Sequence, residues 1–421
     1  MVSKKLKFDT ILNTISFGLA GVAGLLINVI IAYFYDSVIL GIFNLYFAIF
    51  IGLSQLVGAG IHFSVLKHIT QFERRIKVGR RILFNGLIAT AVNAILWLIL
   101  IYLAQNVFKI FFTKAEYAQL IVLLLPAVFF YVLNKVILAF RNAKKQMTYY
   151  AAIIILRPVL VLITLWLLIA FSVAGKYTIL VFIVSEFIVF VILFAGIVVS
   201  LKDARISTIW LKKHFEHGYK SAIGSVLIDI NTRVDILLLG YFTNEKMVGI
   251  YSFASLIAEG FNQLPIVFRT VINPYLTESF YKKNKDDFYN QMRTGRNLTY
   301  KILVPMGLLM IAAYPPALKI IGLYPDYHLS IWPFIFLMIG TLISVGYAPF
   351  LMIFNQTGFP MTQSFLYFLI FITNLILNYI LIPIWGINGS AIATGLAYAA
   401  IMLFIEILMR QKLNTFQTKN L

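Results

Sequence analysis

The residues of this chain able to do chemistry are the charges placed where charge is expensive. An ionisable side chain at the middle of an apolar span costs on the order of 3 kcal/mol on insertion scales. Each one therefore needs water, a partner or a role. Arg157 lies in the apolar stretch 149–173, about 12 Å from its start at ~1.5 Å of rise per residue. Pro158 follows it; a proline inside a helix frees a backbone carbonyl and bends the axis. Reaching the surface from that depth is hard, so Arg157 is the prime candidate for a cation lining a cavity. Lys135 and Arg269 stand near the ends of their stretches, where long basic side chains reach headgroups. Glu186 and Glu259 lie deeper, each either protonated or paired with an arginine.

The stretch 219–241 is the densest, with Asp229, Asn231, Arg233 and Asp235. Asp229 and Arg233 are four apart, so on one helix they share a face and can neutralise each other. Asp235 has no cation on its own face and is free to hold a proton or a sodium ion. Asn374 and Asn378 are one turn apart, as are Ser390 and Thr394. Uncharged oxygens of this kind suit a hard cation, or they serve as hydrogen bonds between helices.

The elements that must hold these groups are set by composition. Of 421 residues, 61% are hydrophobic and 12% charged, against roughly 25% charged in a soluble domain. Lipid is the solvent that tolerates such a surface. At about 20 apolar residues per span, twelve candidates follow: 11–34, 38–62, 82–105, 117–139, 149–173, 177–201, 219–241, 248–273, 299–323, 330–354, 361–384 and 389–410. Pro315 and Pro316 are expected to end the ninth helix early. Lys4, Lys5 and Lys7 precede an apolar run too long for a signal peptide, which we read as an uncleaved first span.

Charge orients the spans. The termini and the loops after even-numbered spans, with the span ends that adjoin them, hold 26 Lys and Arg, Arg74, Arg75, Lys77, Arg80 and Arg81 among them. The opposite loops and span ends hold five, Lys109, Lys114, Lys176, Lys246 and Lys319, and four more, Lys135, Arg157, Arg233 and Arg269, are assigned to span interiors. Basic loops stay cytoplasmic, so both termini face the cytoplasm. The net charge of +19 is thus topological, reinforced by attraction to anionic lipid headgroups, and implies no nucleic acid.

The chain also repeats. Offset by 208 residues, eight of 24 positions between 33–56 and 241–264 match, including Tyr33/Tyr241, Phe34/Phe242, Gly41/Gly249, Gly52/Gly260 and Gln55/Gln263. Six spans separate the copies, so both halves run in the same direction, a parallel repeat about the membrane normal. The expected architecture is all-α and integral to the membrane, in two six-helix lobes, 1–205 and 206–421. Enzymatic chemistry is not expected. There is no cysteine, no Gly-rich phosphate loop, no Asp-x-Asp or paired-His motif, and the external loops are short.

The segment from Pro315, PPALKIIGLYPDYHLSIWPFIFLMIG, continued by FNQTGFPMTQSFLYFLIFITNLILNYILIPIWGINGSAIATGLAY, resembles the carboxy-terminal lobe of Wzx-type polysaccharide flippases. These belong to the multidrug/oligosaccharidyl-lipid/polysaccharide (MOP) exporter superfamily. The residues that carry the resemblance are Gly322–Tyr324, Asn374, Asn378, Pro383 and the run from Gly386 to Thr394, together with Leu40 to Phe43. The resemblance implies a MATE-like flippase of the bacterial cytoplasmic membrane. It would move undecaprenyl-diphosphate-linked oligosaccharide units, for O-antigen or capsule-type polysaccharide, between two lobes that rock about a cationic cavity. Arg157, Arg233, Arg269 and Lys135 are the cations available to the diphosphate, with Asp229, Glu259 and Glu186 as polar or coupling groups. Related lipid II flippases bind sodium among spans seven, eleven and twelve. Asp235, Asn374, Asn378 and Thr394 fit that pattern, with Na+ or H+ as coupling ion and no other cofactor. Asn378 stands where a second carboxylate would strengthen the ion site, and span one lacks the arginines typical of lipid II flippases. Other polysaccharide-assembly proteins are possible partners by the same resemblance. The rivals are a drug or cation antiporter of the superfamily and, from another class, a membrane glycosyltransferase or polymerase.

Overall fold

The computed structural model describes residues 4–72, 75–202, 204–282 and 284–418; Arg74 of the basic loop lies outside them. Among the described residues there is no strand. The longer helices of the first half are α1 (Lys4–Phe34), α2 (Ser37–Gly58), α3 (Ile61–Gln71), α4 (Ile76–Leu103), α5 (Leu124–Ala143), α6 (Met147–Ala170), α7 (Leu180–Ala195) and α8 (Thr208–Asn231). Those of the second half are α9 (Val234–Phe242), α10 (Glu245–Phe261), α11 (Leu264–Tyr281), α12 (Lys285–Ile320), α13 (Ile331–Ser344) and α14 (Pro360–Thr418).

Nine helical stretches among the described residues are long and apolar enough to cross a membrane. The last, Pro360–Lys412, is two passes. Gly386 leaves helical geometry at φ +56°, a left-handed backbone that glycine adopts without a Cβ clash. Ser390 then bonds back to Asn378, and Thr394 to Asn374, the pairing of an antiparallel hairpin. The expected spans 219–241 and 248–273 are each broken, the first between Asn231 and Val234 and the second between Phe261 and Leu264. The ninth runs on through Pro315 and Pro316 to Ile320. Packing offsets the lost backbone bonds there: Tyr314 is buried, stacks on Phe334 at 4.2 Å and shares a hydrogen bond with Ser330 at 2.7 Å.

Apolar side chains face outward as well as inward. Val92, Ile95, Leu96, Ile99, Leu100 and Leu103 are exposed along α4, an outward stripe that water would penalise and acyl chains accept. Inward-facing side chains cluster in each half. Ile61, Val65, Ile82, Val136 and Leu193 belong to the first, and Leu276, Phe288, Phe350, Phe354 and Ile405 to the second.

The chain divides into two compact units, Met1–Ile230 and Asn231–Leu421, rather than at the 205/206 boundary suggested by the repeat. The difference is α8, which opens the second half in sequence but packs on the first unit. Ala59 and Gly60 turn the chain between α2 and α3 at φ +44° and +64°. A Cβ on Gly60 would strike the carbonyl oxygen of Gly218 in α8, and one on Gly218 would lie 2.7 Å from that of Ala59. Backbone therefore meets backbone where α8 docks. Buried Asn85 secures the approach: its Nδ2 donates to Arg205 O at 3.0 Å, and its Oδ1 accepts from Ser207 N at 2.7 Å.

His214 completes the dock. Its Nε2 lies 3.0 Å from Ile82 O and must donate to it. Its Nδ1, 3.0 Å from Ser64 Oγ, is then an acceptor, as in neutral imidazole. Burial pushes its pKa down to about 4. A folded pKa below the unfolded value of about 6.5 favours the fold while the ring is neutral in both states, and that support is lost as pH falls. We therefore expect the unfolding midpoint of purified protein to drop between about pH 6.5 and 4, by up to ~1.4 kcal/mol per pH unit. His214→Gln, which never titrates, should remove that part of the slope; an unchanged slope would refute the assignment.

The repeat seen in sequence recurs as backbone geometry within each unit. Asp36 caps α2, its Oδ1 accepting from Ile39 N, and Asn244 caps α10 by accepting from Met247 N. The capping residues stand 208 apart, and so do the neighbouring bonds Tyr35 N→Ile31 O and Thr243 N→Leu239 O. Tyr33–Phe34 and Tyr241–Phe242 make the same edge-on ring pair, at 5.2 and 4.8 Å.

Candidate polar sites in each unit

In the first unit, α5, α6 and α7 bring Lys135, Arg157 and Glu186 together around one aromatic ring. Arg157 Nε lies 2.6 Å from Glu186 Oε1, and Nη2 donates to Oε2 at 3.2 Å. The Nε contact is ionic rather than a well-directed hydrogen bond. Asn134, a fully buried neighbour of Lys135, donates through Nδ2 to both Glu186 Oε2 and Glu186 O at 3.0 Å. The Arg157 guanidinium rests 4.9 Å from the centre of the Tyr131 ring, and the Lys135 ammonium 5.1 Å from the same centre. A ring's negative face attracts both cations, which explains why two of them share one neighbour.

The exposures differ within the pair. The Glu186 side chain is 3% exposed and that of Arg157 26%. Arginine is thus the more accessible member of the pair and the carboxylate the buried one. Lys135 is half-buried and makes no salt bridge among the described residues; the Asp229 carboxylate lies within its field. Asp229 is itself held by Gln55 of α2, whose Nε2 donates to Oδ2. The unbroken helix expected to carry Asp229 and Arg233 is not formed: α8 ends at Asn231, and Thr232 and Arg233 form a turn. Helix α6 is continuous through Pro158.

In the second unit the oxygen-bearing residues converge. Asp235, 6% exposed, accepts from Tyr251 OH at 2.6 Å and from Ile236 N at 2.9 Å. The α14 hairpin supplies the rest. Asn374 Oδ1 accepts from Asn378 Nδ2 at 2.7 Å and Thr394 Oγ1 at 3.3 Å, and Asn378 Oδ1 accepts from Ser390 Oγ at 2.8 Å. Asn374 Nδ2 donates to Asn231 Oδ1 at 3.3 Å. Tyr251 joins the two halves of the network, its hydroxyl also reaching Ser390 and Thr394. One carboxylate and several neutral oxygens in a buried cluster make a donor set suited to a monovalent hard cation or a proton. Among the described residues no group of His, Cys, Asp and Glu could hold a transition metal.

Arg233 lies 3.6 Å from Glu259, with side chains 16% and 29% exposed. Pairing with arginine is thus what the structure gives Glu186 and Glu259, one in each unit. Arg269 stands apart on α11, half-buried and in electrostatic contact with Tyr367. Tyr131, Asn134 and Tyr251 were not marked by sequence. Each acts across helices, and spacing along one helix carries no signal for that.

Two comparisons define the class. Over 95% of this chain and 87% of the other, the fold matches a lipid II flippase, MurJ, in an inward closed conformation, with a TM-score of 0.79 at 16% identity. It matches an inward-facing multidrug resistance MATE family transporter of the MOP superfamily over 95% and 96%, with a TM-score of 0.78 at 14% identity. A MOP superfamily transporter from Pyrococcus furiosus aligns over 98% and 95%, with a TM-score of 0.60 at 13% identity. The fold is that of the MOP transporters, which are multi-span membrane proteins. No curated protein matches in sequence. The family follows from residues 40–322, which match the model of the polysaccharide biosynthesis proteins: the chain belongs to that family. Its relatives are transporters and flippases rather than enzymes.

Proposed function

We propose that the protein flips an undecaprenyl-diphosphate-linked oligosaccharide across the bacterial cytoplasmic membrane by alternating access, for a surface polysaccharide of the O-antigen or capsule type. The observation that carries this reading is the composition of the first-unit cluster, two cations around one ring with the carboxylate as the buried member and arginine as the partly exposed one. A diphosphate offers several oxygens to such a cluster, and arginine meets phosphate with two parallel donors. Lys135 adds a second positive charge beside the same ring. A pump for cationic drugs calls for the opposite charge. Membership in the polysaccharide biosynthesis family supports the same choice.

The buried network of Asp235, Asn374, Asn378 and Thr394 is the proposed seat of the coupling ion, Na+ or H+. Tyr251 and Ser390 complete the donor set. Deleting the gene in its host should abolish surface polysaccharide and leave lipid-linked oligosaccharide on the cytoplasmic leaflet, with the wild-type gene restoring display. Normal display in the deletion strain would overturn the reading.

A further inference from the structure

We propose that Glu186 is a proton carrier that exchanges Arg157 for a proton when the site takes an anionic phosphate ligand. This rests on the reading of the first-unit cluster as an anion site. With Glu186 charged, Arg157 Nη2 and Asn134 Nδ2 donate to it and Arg157 Nε adds an ionic contact. The amide oxygen of Asn134 is buried in the same cluster and has no hydrogen-bond donor. A buried acceptor left unmet is unfavourable, and here it belongs to the amide whose other end holds the carboxylate.

Ligand binding changes that balance. Arg157 is the partly exposed member of the pair, so an arriving phosphate competes with Glu186 for the guanidinium. The carboxylate does not follow, being 3% exposed and tied to Asn134 from the α5 side. Left without its cation, a buried charge is strongly disfavoured. A proton from solution then adds to Oε2 and neutralises it. If the Asn134 amide turns over, the new O–H donates to the oxygen that lacked a donor. No bond other than the O–H forms, and the proton leaves when Arg157 returns.

The other groups around the carboxylate leave it that freedom. From α5 they are Tyr131, Asn134 and the half-buried Lys135; from α6, Arg157, with Tyr150 within its field. Of these only Arg157 is a cation in contact with the carboxylate, so its departure removes the direct countercharge.

The test is calorimetry of farnesyl diphosphate binding to purified full-length protein at fixed pH, in buffers of different ionisation enthalpy. The slope of heat against buffer enthalpy counts protons. Wild type should take up about one more proton per ligand than Glu186→Gln, the difference cancelling the ligand's own titration. Infrared difference spectra of wild type should gain a protonated-carboxyl band on binding, a readout independent of how well the variant folds. Equal proton counts in the two proteins, or no such band, would overturn the exchange alone. No binding of the diphosphate by wild type would overturn the anion reading as well.

Discussion

Arg157→Ala, reconstituted in proteoliposomes, should lose at least about 100-fold in flipping of a diphosphate-linked lipid. A hydrogen-bonded charge pair in a desolvated site is worth about 3 kcal/mol when one partner is truncated, and arginine's two donors make the loss larger than a point charge would. The single variant has a second effect, because it strands Glu186 in a buried position, and an unpaired buried charge destabilises by roughly 3–5 kcal/mol. The double variant Arg157→Gln with Glu186→Gln removes both charges and separates the causes. It should recover expression and thermal stability while flipping stays low. Recovery of flipping together with stability would make Arg157 a structural residue only.

Asp235→Asn should uncouple transport from its driving ion. Asparagine keeps an acceptor for Tyr251 OH, 2.6 Å away in wild type, so the network should hold while the single negative charge among its oxygens disappears. In a Glu186→Gln background, which removes the proton exchange at the first-unit cluster, the expected result is a slow residual flipping rate that no longer responds to a sodium or a proton gradient. Running the two gradients separately on wild type identifies the ion. A double variant that keeps the wild-type gradient response would remove Asp235 from coupling and leave its carboxylate a structural hydrogen-bond acceptor.

How much of this was legible in sequence depends on whether the information ran along one helix or between helices. Most of the spans were legible, because apolar length is a property of contiguous residues. So was the meeting of Asn374 and Asn378, which stand one turn apart and bond directly. The convergence of Asp235, Asn374 and Thr394 was suggested by resemblance. What joins them, Tyr251 from α10, is set by how helices pack and leaves no mark in spacing. Arg157 and Glu186 are 29 residues apart, so their pairing was equally hidden, although each was a candidate alone.

Two expectations failed for identifiable reasons. The i,i+4 rule for Asp229 and Arg233 needs an unbroken helix, and the chain turns at Thr232. Pro315 and Pro316 do not stop α12, because Tyr314 and Leu318 are buried against neighbouring helices and that packing outweighs two missing donors. Conversely, the 208-residue offset proved more informative than its side-chain matches. Asp36 and Asn244 differ in type and were not among them, yet they cap their helices with the same bond.

The decisive measurement compares two lipids in the same wild-type proteoliposomes: undecaprenyl-diphosphate-N-acetylglucosamine and its neutral undecaprenol-linked counterpart. Sugar left accessible to a membrane-impermeant oxidant reports which leaflet each occupies. A cationic cluster built from Arg157 and Lys135 predicts that the diphosphate lipid crosses and the neutral one stays. Equal rates for the two, or no movement of either, would contradict it.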